Sequence, residues 1–178
     1  MRLPERYRAT IAGIEPTKTR VIAAPDGLNG TRLALSIMAH YARKYKTDAR
    51  IRGAALDIVS ALPDKNYIGE ITLIHRFVRD RVRYTRDVRD VETVASPLET
   101  LRIMQGDCDD KSTLLACLLE SIGFECRFVA VGSQPGQFCH VLTQVNHRDK
   151  WLSLEATEQV SPGWFPPDQP YHLIQTIE

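Results

Sequence analysis

The sequence GDCDDKSTLL, residues 106–115, places Cys108 where a loop turns into a helix. Apolar residues then recur at helical spacing as far as Ile122, and Gly123 stands where a left-handed cap would end the helix. The first N–H groups of a helix lack internal partners and its dipole is positive there, so a thiol at that position can ionise near neutral pH. The stretch therefore predicts a buried central helix with a candidate nucleophile, Cys108, at its start.

Two later stretches supply the groups that a thiol nucleophile requires. FCHVL, residues 138–142, places His140 in a strand-like run, and WLSLEAT, residues 151–157, ends a second such run at Glu155. Neighbouring antiparallel strands hold side chains about 5 Å apart, so a sheet packed on the Cys108 helix would bring the three groups together. A thiol, an imidazole and a carboxylate in this order are typical of a triad of nucleophile, base and orienter.

Composition limits the class of protein. The chain has 178 residues, of which 43% are hydrophobic and 25% charged, as in a globular protein with one buried core. Its net charge of +1 gives no electrostatic footprint for nucleic acid. The N-terminus lacks the pattern of a signal peptide, and no apolar run approaches the ~20 residues that span a bilayer. We therefore expect a cytoplasmic protein that binds neither nucleic acid nor a membrane.

The four cysteines form no C-x-x-C pair, which argues against a disulfide scaffold and against a structural zinc site in a chain of this length. Cys117 and Cys126 are predicted to be small apolar core residues. Cys139 precedes His140 on the same predicted strand, so its side chain should point to the opposite face and into the core.

The first two thirds of the chain carry helical signals. Apolar stripes of helical period predict helices near residues 33–45, 51–62 and 67–82. Residues 96–99, SPLE, combine a capping serine, a proline at the first helical position and a glutamate at the third, which predicts a short fourth helix. His75 lies on the apolar stripe of the third helix, so we interpret it as a packed structural residue.

The rest of the chain is β-rich, and the whole predicts a single-domain α+β fold in which the Cys108 helix packs on an antiparallel sheet. A turn at residues 146–149 should join the last two strands as a hairpin. The predicted strands are 126–131, 138–145 and 150–154. The predicted organisation of the domain, 1–178, is an extended arm at 1–30, a helical part at 31–123, a β-sheet part at 124–160 and a proline-rich and aromatic tail at 161–178.

Three stretches together resemble the transglutaminase-like superfamily, which belongs to the wider group of papain-like thiol enzymes. The stretches are GDCDDK at 106–111, His140-Val141 in its strand and WLSLEAT at 151–157. The run from His75 to Tyr84 also looks like the helix that precedes the cysteine segment in this family, so the resemblance covers about residues 65–160. It implies an α+β fold with the nucleophile at a helix N-terminus and the base and acid on successive strands.

The resemblance implies thiol acyl transfer with Cys108, His140 and Glu155 as catalytic residues. Cys108 would attack a carbonyl, His140 would pass the proton to the leaving amine, and Glu155 would hold the imidazole in the useful tautomer. The family usually has aspartate in place of Glu155, so the orienting hydrogen bond must here come from a side chain one methylene longer. The backbone N–H of Cys108 is the natural oxyanion donor, and both Gln105 and Tyr84 are open as a second donor.

The reaction itself stays open at this point. Attack by water would give a cysteine peptidase or amidase, and attack by an amine would give a cross-linking transglutaminase. The expected substrate is a protein, a peptide or a peptidoglycan-like molecule. No organic cofactor and no metal are implied, and no calcium-loop pattern supports the calcium dependence of the large animal transglutaminases. A bacterial or phage origin fits a small member of such a family, with association to the virion if a phage encodes it.

Asp107, Asp109 and Asp110 crowd the thiol with negative charge, which should raise its pKa. We interpret them as helix-capping carboxylates. A sharper hypothesis is that Asp109 or Asp110 attracts a cationic substrate amine, and that Trp164 in the tail lines the substrate groove.

Two alternatives to an enzyme with this triad remain. One is a catalytically silent module that keeps the fold for binding or assembly. The other is a metal site made of Cys108, His140 and the neighbouring aspartates, although paired ligands at short spacing are lacking.

Overall fold

The computed structural model describes residues 14–16, 27–86 and 93–178 of the protein. The described helices are α1 (Leu28–Tyr45), α2 (Ala49–Val59), α3 (Tyr67–Arg81), α4 (Pro97–Ile103) and α5 (Cys108–Ser121). The described strands are β1 (Arg83–Tyr84), β2 (Gln105–Gly106), β3 (Cys126–Gly132), β4 (His140–His147), β5 (Lys150–Leu154) and β6 (Tyr171–Thr176). The predicted α+β fold is confirmed.

The helix that begins at Cys108 is the centre of the fold. α5 packs against α1, α2, α3 and α4 on one side and against β4 on the other. Because it is surrounded, nearly all of its side chains are buried, including those that an isolated amphipathic helix would expose. Its four fully buried leucines are Leu114, Leu115, Leu118 and Leu119.

The main sheet has four antiparallel strands in the order β5-β4-β3-β6. The hairpin between β4 and β5 turns at Arg148 and Asp149, which both have positive φ values of 55° and 61°. This is the geometry of a two-residue type I′ turn, which matches the right-handed twist of the strands. The predicted hairpin is therefore present, with a turn two residues shorter than the stretch from which it was predicted.

The tail forms more regular structure than its composition predicts. Residues 171–176, for which no strand was predicted, form β6 and pair with β3 at the edge of the sheet. Phe165, also in the tail, packs on Val129, Val131 and Leu142 on the outer face of the sheet.

The extended arm predicted over residues 1–30 lies mostly outside the described residues. Ile14, which is described, is buried in the main core, and α1 begins at Leu28, inside the range predicted for the arm. Gly27 before it has a φ of 67°, a conformation that glycine adopts without strain.

Cys117 and Cys126 are buried in the core, as predicted, and the described cysteines are all free thiols. The prediction for Cys139 is wrong, because this residue is exposed. Strand β4 begins only at His140, so the alternation of faces that placed Cys139 in the core does not yet apply to it. Among the described helices, none is both long and apolar enough to cross a membrane.

Candidate active site

Cys108 is held at the start of α5 by local capping. Asp107 is the N-cap residue, and its carboxylate accepts hydrogen bonds from the backbone N–H groups of Asp109 at 3.1 Å and Asp110 at 3.2 Å. These are two of the N–H groups that a helix start leaves without internal partners. The capping role predicted for the aspartates is therefore filled by Asp107, and the half-buried Cys108 is the first residue of the helix.

Two hydrogen bonds fix α5 against β4 and so fix Cys108 relative to His140. The Ser112 hydroxyl, one turn after Cys108, donates to the Val141 carbonyl at 3.2 Å. The Thr143 hydroxyl donates to the Ser112 carbonyl at 3.0 Å. All four partners are fully or nearly buried, so water does not compete with these bonds and the register of helix on strand is well defined.

His140 and Glu155 form a direct hydrogen bond. The Nε2 atom of His140 lies 2.5 Å from Oε2 of Glu155, whose other oxygen accepts from the backbone N–H and the hydroxyl of Thr157 at 2.6 Å each. Burial opposes ionisation of Glu155, but the hydrogen bonds from His140 and Thr157 outweigh it and lower its pKa. An ionised carboxylate only accepts hydrogen bonds, so Nε2 carries the proton and Nδ1 is the basic nitrogen of neutral His140.

The thiol and the imidazole line one cavity. A cavity of about 210 Å³ is bounded by Cys108, His140, Asp107 and Asp109, with α1 forming its far wall. The backbone N–H of Val141 favours the thiolate form of Cys108. Glu155 is therefore bonded to His140, and His140 lines the same cavity as Cys108.

The ionisation of Cys108 differs from that expected of a thiol at a helix start. Burial raises its pKa well above the ordinary value, and the charges of Asp109 and Asp107 raise it further. The N–H of Val141 acts in the opposite direction but does not outweigh them. Burial, with the two aspartates adding to it, therefore favours the protonated thiol over the thiolate.

The two aspartates predicted to contact a substrate have different surroundings. The carboxylate of Asp110 is 7% exposed and accepts a hydrogen bond from the backbone N–H of Ala95 at 2.7 Å. Asp109 is half-buried beside the thiol, which donates to its carboxylate at 3.4 Å, and it lines the cavity. A structural role accounts for Asp110, so only Asp109 is placed to meet a substrate amine.

A second, larger cavity of about 460 Å³ lies on the other side of the imidazole. Its lining includes His140 and Glu155 together with Trp164, the residue predicted to line a substrate groove. It also includes two residues that the sequence did not single out, Arg86 and Gln169. The Oε1 atom of Gln169 is buried without a hydrogen-bond partner among the described residues. The sequence could not predict its place in the cavity, because an isolated glutamine in a proline-rich tail belongs to no motif.

The structure distinguishes the two side chains left open as oxyanion donors. Tyr84 pairs with Gly106 in the short parallel ladder of β1 and β2, two residues before Cys108, and it lines the larger cavity with His140. Burial raises the pKa of Tyr84, with Cys108 and Asp107 adding to the effect, so its hydroxyl remains a donor. Arg83 donates to the Oε1 atom of Gln105, and Gln105 lines neither of the two cavities.

The structure brings together only some of the residues of the alternative metal site. Ligand atoms of Asp107, Cys108 and Asp109 lie within 4.8 Å of one another, but this group does not include His140, whose Nε2 is on Glu155. Asp107 is also used in capping the helix. Clustered carboxylates at a helix start are stabilising without an ion, so these contacts do not indicate a metal site.

A family model for the transglutaminase-like superfamily matches residues 54–156. Among curated proteins, none matches the sequence. Solved structures with a similar fold include a proposed cysteine protease of Cytophaga hutchinsonii, with a TM-score of 0.52 and 15% identity over 80% of this chain and 51% of that one. A proposed protease of Parabacteroides distasonis has a TM-score of 0.56 and 15% identity, and the match covers 80% of this chain and 32% of that one. Calcium-bound LapG of Legionella pneumophila has a TM-score of 0.53 and 18% identity, and the match covers 80% of this chain and 87% of that one.

Proposed function

This chain belongs to the transglutaminase-like superfamily, and we propose that it is a cysteine enzyme that transfers or hydrolyses acyl groups at peptide or isopeptide amide bonds. The observation that carries the proposal is the bond between His140 Nε2 and Glu155, in a histidine that shares a cavity with Cys108. This bond leaves Nδ1 as the basic nitrogen, which is the tautomer that a general base needs.

The proposed reaction begins from a neutral thiol, because burial and the adjacent aspartates raise the pKa of Cys108. Attack on the carbonyl and transfer of the thiol proton to Nδ1 of His140 therefore occur together. A C–S bond forms, and the carbonyl oxygen becomes an oxyanion, stabilised by the N–H of Cys108 and the hydroxyl of Tyr84. The ionised Glu155 stabilises the resulting imidazolium.

The intermediate then collapses to a thioester. The C–N bond breaks, and the leaving amine takes the proton from Nδ1 of His140. Water or a second amine then attacks the thioester and gives up a proton to Nδ1 of His140. The C–S bond breaks, and Nδ1 returns the proton to the sulfur, which regenerates the thiol of Cys108. Water completes a hydrolysis and an amine completes a cross-link.

The similar structures named as proteases add support for hydrolysis. This chain spans 51% of one of them and 32% of the other, so its likeness is to one part of each. We therefore propose hydrolysis as the main reaction and treat amine transfer as a competing outcome of the same thioester.

A second candidate, a catalytically silent binding or assembly module, has one observation in its favour. The raised pKa of Cys108 leaves little thiolate at neutral pH, and a protein that needs only the fold has no use for a reactive thiol. The two candidates differ in whether His140 increases the reactivity of Cys108.

The test is acyl transfer from p-nitrophenyl acetate, which needs no knowledge of the natural substrate. We expect a burst of nitrophenol and an acetyl group on Cys108 by peptide mass spectrometry. His140→Ala should slow the acetylation by about 10²-fold or more, as expected on removal of a general base. With cadaverine added, the ratio of acetylated cadaverine to acetate measures how often an amine, rather than water, attacks the thioester.

Cys139→Ser is the matched control, because this exposed thiol lines the same cavity and has no proposed role. It should leave the acetylation of Cys108 unchanged. Acetylation that is equally fast in wild type and His140→Ala would refute the enzyme proposal and favour the catalytically silent binding module.

A further inference from the structure

His75 makes a contact that its position on an apolar helix face does not explain. It lies in α3 and is fully buried, and its Nε2 atom is 2.5 Å from the backbone carbonyl oxygen of Glu155. A carbonyl oxygen only accepts hydrogen bonds, so Nε2 of His75 carries the proton. The other ring nitrogen, Nδ1, is buried with no hydrogen-bond partner among the described residues.

Packing alone does not account for a histidine at this position. Its neighbours on the buried face of α3 are Ile71, Ile74 and Val78, each fully buried. A leucine would bury more apolar surface and would remove the unpartnered Nδ1 atom, which costs free energy in a dry core. The hydrogen bond to Glu155 is the one interaction of His75 that a leucine cannot make.

The carbonyl that His75 binds lies where the sheet stops. The last register pair between β4 and β5 joins Thr143 and Leu154, so Glu155 is the first residue beyond the ladder. The side chain of Glu155 has three rotatable bonds, and its carboxylate meets His140 only if the backbone is anchored. Thr157 and His140 hold the carboxylate, and His75 holds the backbone.

We propose that His75 is a positioning residue that anchors the backbone of Glu155 so that its carboxylate meets Nε2 of His140. It touches neither the substrate nor the reacting atoms. The inference rests on the proposed function for its kinetic consequence, although the contact itself can be tested without any activity.

The kinetic test compares His75→Leu with His75→Gln. The amide nitrogen of glutamine can replace Nε2 of histidine, whereas leucine removes the donor and keeps the volume. With a peptide thioester or activated ester as substrate, His75→Leu should lower kcat by about 10²-fold, as expected for a misplacement of ~1 Å, with KM nearly unchanged. His75→Gln should stay within about threefold of wild type.

Ile74→Val is the control for lost core packing, because Ile74 is the adjacent, fully buried residue and has no polar contact with Glu155. It should lower the stability and leave kcat unchanged for the folded fraction. If His75→Leu has the same kcat as Ile74→Val at equal folded fraction, His75 is only a packing residue and the proposal is overturned.

A second measurement separates this inference from the proposed function. Nitrogen-15 NMR should show wild-type His75 protonated on Nε2 alone, and a hydrogen-bonded Nε2–H proton on His140 that persists in His75→Gln and is lost in His75→Leu. A His75 protonated on Nδ1 would overturn the inference even if His75→Leu does not fold. An inactive wild-type protein with the expected spectra would refute the enzyme proposal and leave the anchoring role standing.

Discussion

At the scale of single residues, the environment of Cys108 decides its chemistry more than its position on a helix. The helix dipole and the N–H of Val141 favour the thiolate, while burial and the charges of Asp109 and Asp107 favour the thiol. Burial and the two charges outweigh the other effects in the free protein, so the pKa of Cys108 is raised. A reaction at this thiol therefore depends on His140 as the base, and removing the charge of Asp109 or Asp107 should make the thiol easier to ionise.

Asp109→Asn tests this balance. Removing the charge next to the sulfur should lower the pKa of Cys108 and speed its alkylation by iodoacetamide at pH 8, by roughly three- to tenfold for a shift of about one unit. Asp110→Asn makes the same charge change one residue later, where the carboxylate binds Ala95, and should not speed the alkylation. Equal rates in Asp109→Asn and wild type would show that the charge of Asp109 does not control the pKa of Cys108.

Trp164→Ala tests the predicted substrate contact. Trp164 lines the larger cavity beside His140 and Glu155, so its loss should raise KM for peptide substrates by about tenfold, with less change in kcat. Phe165→Leu is the control, because the adjacent Phe165 packs on the outer face of the sheet. If Phe165→Leu raises KM more than Trp164→Ala does, Trp164 does not contact the substrate and the tail only packs on the sheet.

At the scale of elements, the approach of β2 to the start of α5 requires a residue without a side chain. A Cβ atom built on Gly106 would lie 2.5 Å from Cβ of Asp110, so a larger residue must push apart the strand and the first turn of the helix. The same turn carries Cys108 and the bond from Asp110 to Ala95. The glycine of the GDC sequence is therefore explained by close packing rather than by a special backbone conformation.

Gly106→Ala should lower the free energy of unfolding by about 1–3 kcal/mol, the usual cost of forcing atoms into a packed site. Gly53→Ala is the matched control, because Gly53 lies inside α2 with open space around its Cβ position. That change should stabilise the protein by about 0.5–1 kcal/mol through helix propensity. Urea unfolding of both variants checks the opposite signs, and a stabilised Gly106→Ala would refute this account.

At the scale of the whole molecule, a buried lysine joins two helices that are distant in sequence. Lys111 in α5 is 2% exposed, and its ammonium group donates to the carbonyls of Val82 at 2.7 Å and Arg79 at 3.2 Å, at the end of α3. Cations at a helix C-terminus are favourable, and these bonds satisfy carbonyls that the helix leaves unpaired. Burial nevertheless lowers the pKa of Lys111 to about 8.

This shift predicts how stability depends on pH. Between about pH 8 and the unfolded-state value of 10.5, the unfolded chain binds more protons, so Lys111 makes the free energy of unfolding rise with pH. The rise relative to Lys111→Met should reach about 3 kcal/mol at most. Urea unfolding between pH 7 and pH 10.5 measures it. Lys150→Met, at the exposed start of β5, controls for the lost charge, and parallel curves for wild type and Lys111→Met would contradict the prediction.

The amino-acid sequence by itself determined the five described helices, the strands β3 to β5 and the residues of the candidate triad. Cys108 opens a helix, Ser96 caps another with its hydroxyl on Glu99, and a hairpin joins β4 to β5, because capping, periodicity and turn formation act over a few residues. The strand β6 was missed, since its pairing with β3 spans a long stretch of chain.

Only the tertiary structure decided how these groups behave. The raised pKa of Cys108, the burial of Asp110 and the hydrogen bond from His75 to Glu155 all depend on elements that are distant in sequence and come together on folding. Burial and long-range hydrogen bonds set ionisation and geometry, and neither is encoded by the spacing of residues along the chain.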